Sequence, residues 1–236
     1  EFQRNNLIGV GGSLNPVIDG RIVVRSVGAV FRAGEQHKVP YLSGATSWEG
    51  SLLDWAKSAD PVLGILGISR AQADALYAER DDRQLNNNLY ADFFFGSQRY
   101  LAKQHALAGQ STYVYHFTRV LDAHQGDYYG AAHGAETRYV FGTLDGLGLL
   151  AGPARPGVFG YRVGDADRAY AELVRGYWVQ FARSGDPNGD GRPGWPASSP
   201  GNDLLLEFGQ QSPEVRRDFR RERQQFWERH FEDGRP

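Results

Sequence analysis

Glu49 stands just past an apolar stretch that ends in small residues. His133 stands in a run of small residues downstream of a second apolar stretch. In open α/β sheets, functional groups gather beyond the carboxyl ends of strands. A carboxylate and an imidazole meeting there form an orienting pair. The carboxylate accepts the proton on one ring nitrogen and leaves the other free to act as a base. Gly130, Ala131, Ala132, Gly134 and Ala135 around the histidine let backbone and substrate approach closely. Spacing alone does not tie the two together, because 84 positions separate them.

Other candidates have plainer readings. His105, His116 and His124 show no H-E-x-x-H or comparable metal spacing, and His116 reads as a packed or edge residue of a strand. Glu136, three residues after His133, reads as a surface or capping carboxylate. Trp48 either lines a pocket or packs beneath its loop. Asp186-Pro187-Asn188 with Asp190 has the composition of a cation loop but reads better as a turn that stops a helix. Arg216, Arg217, Arg220, Arg221 and Arg223 alternate with Glu214, Asp218 and Glu222, the pattern of a solvated helix face with i,i+4 pairs.

The elements that must position Glu49 and His133 follow from hydrophobic period and punctuation. A short helix is expected over 25–32, closed by Gly34, and a strand over 39–44 ending in Gly44. Residues 45–51 read as loop. Ser69 and Gln72 have capping-box spacing and open a helix through Arg80. A further helix is expected over 89–106, with Leu89, Tyr90, Phe93, Phe94 and Leu101 on a broad apolar face. Residues 111–119 (STYVYHFTR) are β-branched and aromatic, hence strand. Residues 167–183 form an amphipathic helix with Tyr170, Val174, Tyr177, Trp178 and Phe181 on one side. Residues 189–202 read as surface loop, 204–208 as a short strand, and 214–232 as a last helix burying Val215, Phe219, Phe226 and Phe231. Strands alternating with helices give the α/β class, and no linker divides residues 1–236.

Composition bounds the partners. The 236 residues carry 26 basic and 28 acidic side chains, so no basic face calls for nucleic acid. No apolar run reaches the length of a membrane span. Cysteine is absent, which excludes disulfides, thiolate catalysis and cysteine zinc sites, and no cofactor is expected. There is no methionine, so the chain as given is expected to be a processed product or a fragment. Its compartment stays undetermined.

Several segments, in order, resemble the type-B carboxylesterases, the cholinesterase-like branch of the α/β-hydrolase fold. Residues 39–51, VPYLSGATSWEGS, are similar to the strand and loop that hold the family's triad acid, with Glu49-Gly50 matching its Glu-Gly pair. Asp92 and Phe95 fit its Asp…Phe pattern in the next helix. Residues 112–117 resemble the strand leading to the histidine, and 130–142, GAAHGAETRYVFG, its histidine motif. Residues 177–188, YWVQFARSGDPN, with Trp195-Pro196, resemble its late helix and Trp-Pro loop, and Phe226-Trp227 its terminal helix.

The resemblance implies the C-terminal half of an α/β-hydrolase fold, part of a mostly parallel sheet with flanking helices and long loops. It implies Glu49 as triad acid and His133 as general base of a Ser/Glu/His ester hydrolase, in the order acid before histidine. The family's nucleophile elbow, G-x-S-x-G, is missing. Gly67-Ile68-Ser69-Arg70-Ala71 ends in alanine, and Gly11-Gly12-Ser13 lacks the trailing glycine; Gly9–Gly12 is misplaced to serve as the oxyanion loop. The expectation is therefore a chain that is inactive alone and requires an N-terminal half of the same enzyme for the serine and the oxyanion hole, acting on a small-molecule ester. The loop over 145–161 is expected at the pocket mouth. The alternative is a cholinesterase-like binding or adhesion module without catalysis.

Overall fold

A computed structural model describes residues 17–53, 56–79, 81–145 and 162–233. The glycines at 9–12, Ser13, Arg80 and the 146–161 part of the mouth loop lie outside them. In chain order the elements are α1 (Val27–Arg32), β1 (Tyr41–Thr46), a 3-10 turn at Glu49–Leu53, α2 (Asp60–Leu66), α3 (Arg70–Leu76), α4 (Asp82–Leu107), β2 (Thr112–Phe117), a 3-10 turn at Asp122–His124, α5 (Ala135–Val140), α6 (Asp165–Ser184), β3 (Leu204–Phe208), β4 (Pro213–Arg217) and α7 (Arg221–Glu232). The sheet order is β1-β2-β3-β4. The first three strands are parallel and β4 returns antiparallel. The α/β class and the partial, mostly parallel sheet follow from this arrangement.

β2 is buried along its whole length, as a strand covered on both faces must be. Tyr113, Tyr115 and Phe117 join Leu206, Phe208, Val174, Tyr177 and Trp195 in a cluster under α5 and α6. Val114 faces the other way with Ala45, Leu205 and Phe95 of α4. A third cluster packs α2, α3, α4 and Trp227 of α7. The capping box at Ser69 and Gln72 forms, but α3 stops at Leu76 rather than continuing to residue 80.

Four further expectations change. The first strand runs through Gly44 to Thr46 instead of ending at the glycine. Gly44 is there because Tyr115 of β2 lies flat against it: a Cβ would stand 2.5 Å from the tyrosine ring. α4 starts seven residues early, capped by the Asp81 carboxylate on the N–H of Gln84 at 2.9 Å. Its first two turns are polar, and Asn86 and Asn87 are nonetheless buried, so no apolar period announces them.

The loop over 189–202 is not merely surface. Trp195 is 1% exposed and donates its indole N–H to the Val114 carbonyl at 3.1 Å. Asn188 holds the same residue from both sides of its backbone, which gives the Asp-Pro-Asn turn a structural use.

The last helix begins at Arg221, and residues 213–217 are strand. Arg216 pairs with Glu207 of β3 at 2.5 Å and with Glu214 at 3.1 Å. Alternating charges that suit i,i+4 helix pairs serve cross-strand pairs equally well. Asp218 and Arg220 then take left-handed backbone, φ 52° and 51°, which breaks any continuous helix. Val215 is consequently exposed. Arg220 and Arg223 turn inward to the fully buried Asp92 of α4, at 2.7 and 3.4 Å.

Candidate active site

β1 ends at Thr46 and β2 at Phe117, and these ends are register partners. The chain leaving β1 turns at once into the 3-10 turn that opens with Glu49. The chain leaving β2 makes an excursion through residues 118–129 and comes back alongside. Its return is stitched to the first loop by backbone and hydroxyl bonds. Ser47 N–H donates to the Phe117 carbonyl at 2.9 Å, and Trp48 N–H to the Ala131 carbonyl at 2.9 Å. Ser47 Oγ accepts from Ala131 N–H at 2.9 Å, and Ser51 Oγ from His133 N–H at 3.0 Å. Trp48 and Ala132 form a parallel bridge. These bonds bring together two residues far apart in sequence, at the strand ends where the topology gathers functional groups.

Glu49 is 3% exposed. Both its oxygens are used: Oε1 accepts the Thr46 N–H at 2.7 Å, and Oε2 hydrogen-bonds His133 Nδ1. The imidazole side chain is 45% exposed, so its second nitrogen remains open to a reacting group. With the carboxylate accepting, the proton sits on Nδ1 and Nε2 is the free base. The imidazole is held above the usual histidine range. The Glu49 hydrogen bond is the first cause; partial burial opposes it, and the charges of Glu49 and Glu136 add to it. Phe94 of α4 meets the ring edge-on at 5.8 Å between centroids.

Glu136 lies in the first turn of α5 but is not the surface carboxylate its position suggests. Tyr115 Oη donates to its Oε1 at 3.4 Å. Its Oε2 is buried with no hydrogen-bond partner among the described residues. Burial raises its pKa, and the neighbouring Glu49 charge adds to the rise. Burial, then Glu136 and Glu49, push the Tyr115 phenol upward as well.

Trp48 packs beneath its loop rather than lining an open wall. It is 6% exposed, and its indole N–H donates to Asn87 Oδ1 at 3.0 Å. Tyr128 stacks on it at 6.0 Å between centroids, and Tyr129 meets it tilted at 5.7 Å. Asn87 carried no mark in the sequence; only a buried asparagine in a helix interior, where it is a poor helix former, could have signalled it.

The three other candidate histidines lie elsewhere. His105 is buried between Gln36 and the Val39 carbonyl, His124 pairs with Asp127 at 3.2 Å, and His116 is enclosed in the core. Among the described residues no three His, Asp or Glu side chains converge on a point that could hold a metal ion. No helix among them is long and apolar enough to cross a membrane.

Comparison with known proteins places this geometry in a family context. The model of the carboxylesterase family matches residues 71–227, a span that contains His133 and begins downstream of Glu49. The chain is similar to rat carboxylesterase 1C, 27% identical over 218 residues, covering 78% of this chain and 36% of the relative. It is similar to dog carboxylesterase 5A, 31% identical over 126 residues, covering 50% and 21%. It is similar to pig liver carboxylesterase, 34% identical over 114 residues, covering 46% and 18%. The chain thus spans about a third of the length of the first of these relatives, and the other two alignments cover less.

Proposed function

The chain belongs to the carboxylesterase family, and from that premise we propose that residues 1–236 are the C-terminal part of a single ester-hydrolase domain. Glu49 and His133 are then the acid and the base of a Ser/Glu/His triad. The serine and the oxyanion hole come from an N-terminal half of the same enzyme, and the substrate is a small-molecule carboxylic ester. The observation that carries this reading is the hydrogen bond from His133 to Glu49 at the carboxyl ends of adjacent parallel strands.

The chemistry follows from that contact. His133 Nε2 takes the proton of the serine hydroxyl as it attacks the ester carbonyl. It returns the proton to the alcohol that leaves when the tetrahedral adduct collapses. Water then repeats the sequence on the acyl-serine. Glu49, fixed by the Thr46 N–H, holds the ring in one orientation and stabilises the imidazolium formed in each step. Because this stabilisation raises the imidazole pKa, the base becomes active only as pH rises past the ordinary histidine value of about 6.5.

The test is a reconstitution. The 236-residue chain alone is expected to leave a short-chain chromogenic ester intact. The chain assembled with its N-terminal half should hydrolyse it and be silenced by a serine-directed inhibitor. Turnover by the lone chain would overturn the division of the triad. An assembled protein that binds its partner half yet never turns over would favour a binding module.

A further inference from the structure

We infer that Trp48 and Asn87 form a positioning pair, which fixes the Glu49 loop against α4 and so sets the contact between Glu49 and His133. Its consequence for turnover rests on the triad reading above; its consequence for His133 titration does not.

Trp48 occupies a junction. It directly precedes Glu49, its N–H bonds Ala131, and it bridges to Ala132, the residue before His133. Its indole reaches away from both loops to Asn87, 39 residues along the chain, through a buried 3.0 Å hydrogen bond. The residue after Glu49 presses on the same place: a Cβ at Gly50 would stand 2.6 Å from the Asn87 Cα. Two turns further along α4, Phe94 bears on the His133 ring. One helix therefore touches the residue before the acid, the residue after it, and the histidine itself.

The chemistry of Asn87 argues for a positional role over a stabilising one. Asparagine is a weak helix former, and this one is 8% exposed in the interior of a helix. Its Nδ2 is buried with no acceptor among the described residues. Burying an amide donor without an acceptor costs stability, so leucine would suit the helix better. What asparagine adds is a directional acceptor for one indole N–H. That bond fixes the rotation of Trp48 and, through the peptide unit that joins the two residues, the carboxylate of Glu49.

The discriminating variant replaces both partners. Removing one leaves a buried polar group unpaired, which destabilises for a trivial reason, whereas replacing both by apolar groups is close to neutral. His133 is titrated by NMR in the 236-residue chain carrying Trp48→Phe, Asn87→Leu, or both. The imidazole midpoint is expected to fall toward the ordinary histidine value in all three. In the assembled enzyme kcat is expected to fall on the order of 10- to 100-fold, the scale set by small misplacements of reacting groups, with KM little changed.

A double variant that is folded by circular dichroism and titrates as the wild type overturns the inference. So does lost turnover with an unmoved midpoint. Should the variants fail to fold, the unaltered chain decides: the assigned Trp48 indole proton must exchange slowly with solvent, and fast exchange beside an intact Glu49–His133 contact overturns the pairing. A shifted midpoint in a protein that never hydrolyses esters upholds the pair and sinks the proposed function instead.

Discussion

His133 and His116 belong to the same stretch of the fold and titrate in opposite directions. His116 is the penultimate residue of β2 and is completely buried. Phe95 and Phe219 flank its ring at 5.1 and 4.8 Å, and neither ring nitrogen has a hydrogen-bond partner among the described residues. Burial, with the Arg220 charge adding to it, pushes its pKa down to about 3. His133 lies just past the strand end, half in solvent, with a fixed carboxylate on Nδ1, and is pushed up. Neighbourhood to a strand end does not make a base. An anionic partner on one nitrogen and access to the other do.

The sharpest way to break the comparison is to remove each imidazole in the assembled protein. On the proposed triad reading His133→Ala is expected to lower turnover roughly 10⁶-fold and Glu49→Ala roughly 10⁴-fold, with the double variant no worse than His133→Ala, because residues of a triad act as a unit. His116→Phe should leave kcat/KM within a small factor of wild type. Steady-state assays on the four proteins decide it. Additive losses from Glu49 and His133 would dissolve the pair, and a large loss from His116 would erase the distinction between the two histidines.

A second prediction concerns the cation beside His116. Arg220→Leu leaves the buried Asp92 carboxylate with Arg223, at 3.4 Å, as its one ion-pair partner among the described residues. Breaking a buried ion pair from one side costs about 3–5 kcal/mol, readable as a lower urea midpoint. The same change withdraws a positive charge from His116, so its pKa should rise from its depressed value while that of His133 stays put. Unchanged stability would mean that Asp92 is satisfied by Arg223 without Arg220.

The two histidines also predict opposite pH dependences of stability. His116 protonates in the unfolded chain below about 6.5 but in the folded chain only near 3. Between those values the unfolded state binds the extra proton, so stability falls as pH falls, by at most about 1.4 kcal/mol per pH unit. For His133 the folded pKa is the higher one. Its contribution is fully present below about 6.5 and fades as pH rises through the folded value; with half the side chain exposed it is small. Urea midpoints followed from pH 7 to pH 4 should drop steeply in wild type and more gently in His116→Phe. Equal slopes would show that carboxylates alone set the acid limit.

Much of this was legible in residue order. β2, β3 and α6 fall within two residues of expectation because their apolar periods are clean and their ends carry glycine or proline signals. Glu49 and His133 could be read as candidates from their places after strands. Their pairing could not, because it is made by Ser47, Ser51 and Trp48 bonding to residues 82 and more positions away. The strand at β4 was hidden because Glu and Arg at alternating positions serve a ladder or a helix face alike. The Asp92–Arg220 pair spans 128 positions, and the Trp48–Asn87 bond joins a loop to a helix turn with no apolar signature. Local propensity carries no record of either.

Glu136 gives the smallest expected effect and the finest probe of the contrast. Its charge is one of the influences that raise His133, after the Glu49 hydrogen bond and the Glu49 charge. It is itself pushed up by burial, so its charge is lost earlier on acidification than that of an exposed glutamate. Glu136→Gln keeps the shape and an acceptor for the Tyr115 hydroxyl while removing the charge. The His133 midpoint should drop, well short of the fall produced by Glu49→Gln, which takes away the leading cause. His116, walled off by Phe95 and Phe219, should not respond. Side-by-side NMR titrations of both imidazoles read this directly. If Glu136→Gln lowered His133 as far as Glu49→Gln does, the raised pKa would belong to a general negative field around α5, and the carboxylate–imidazole contact would lose its privileged place.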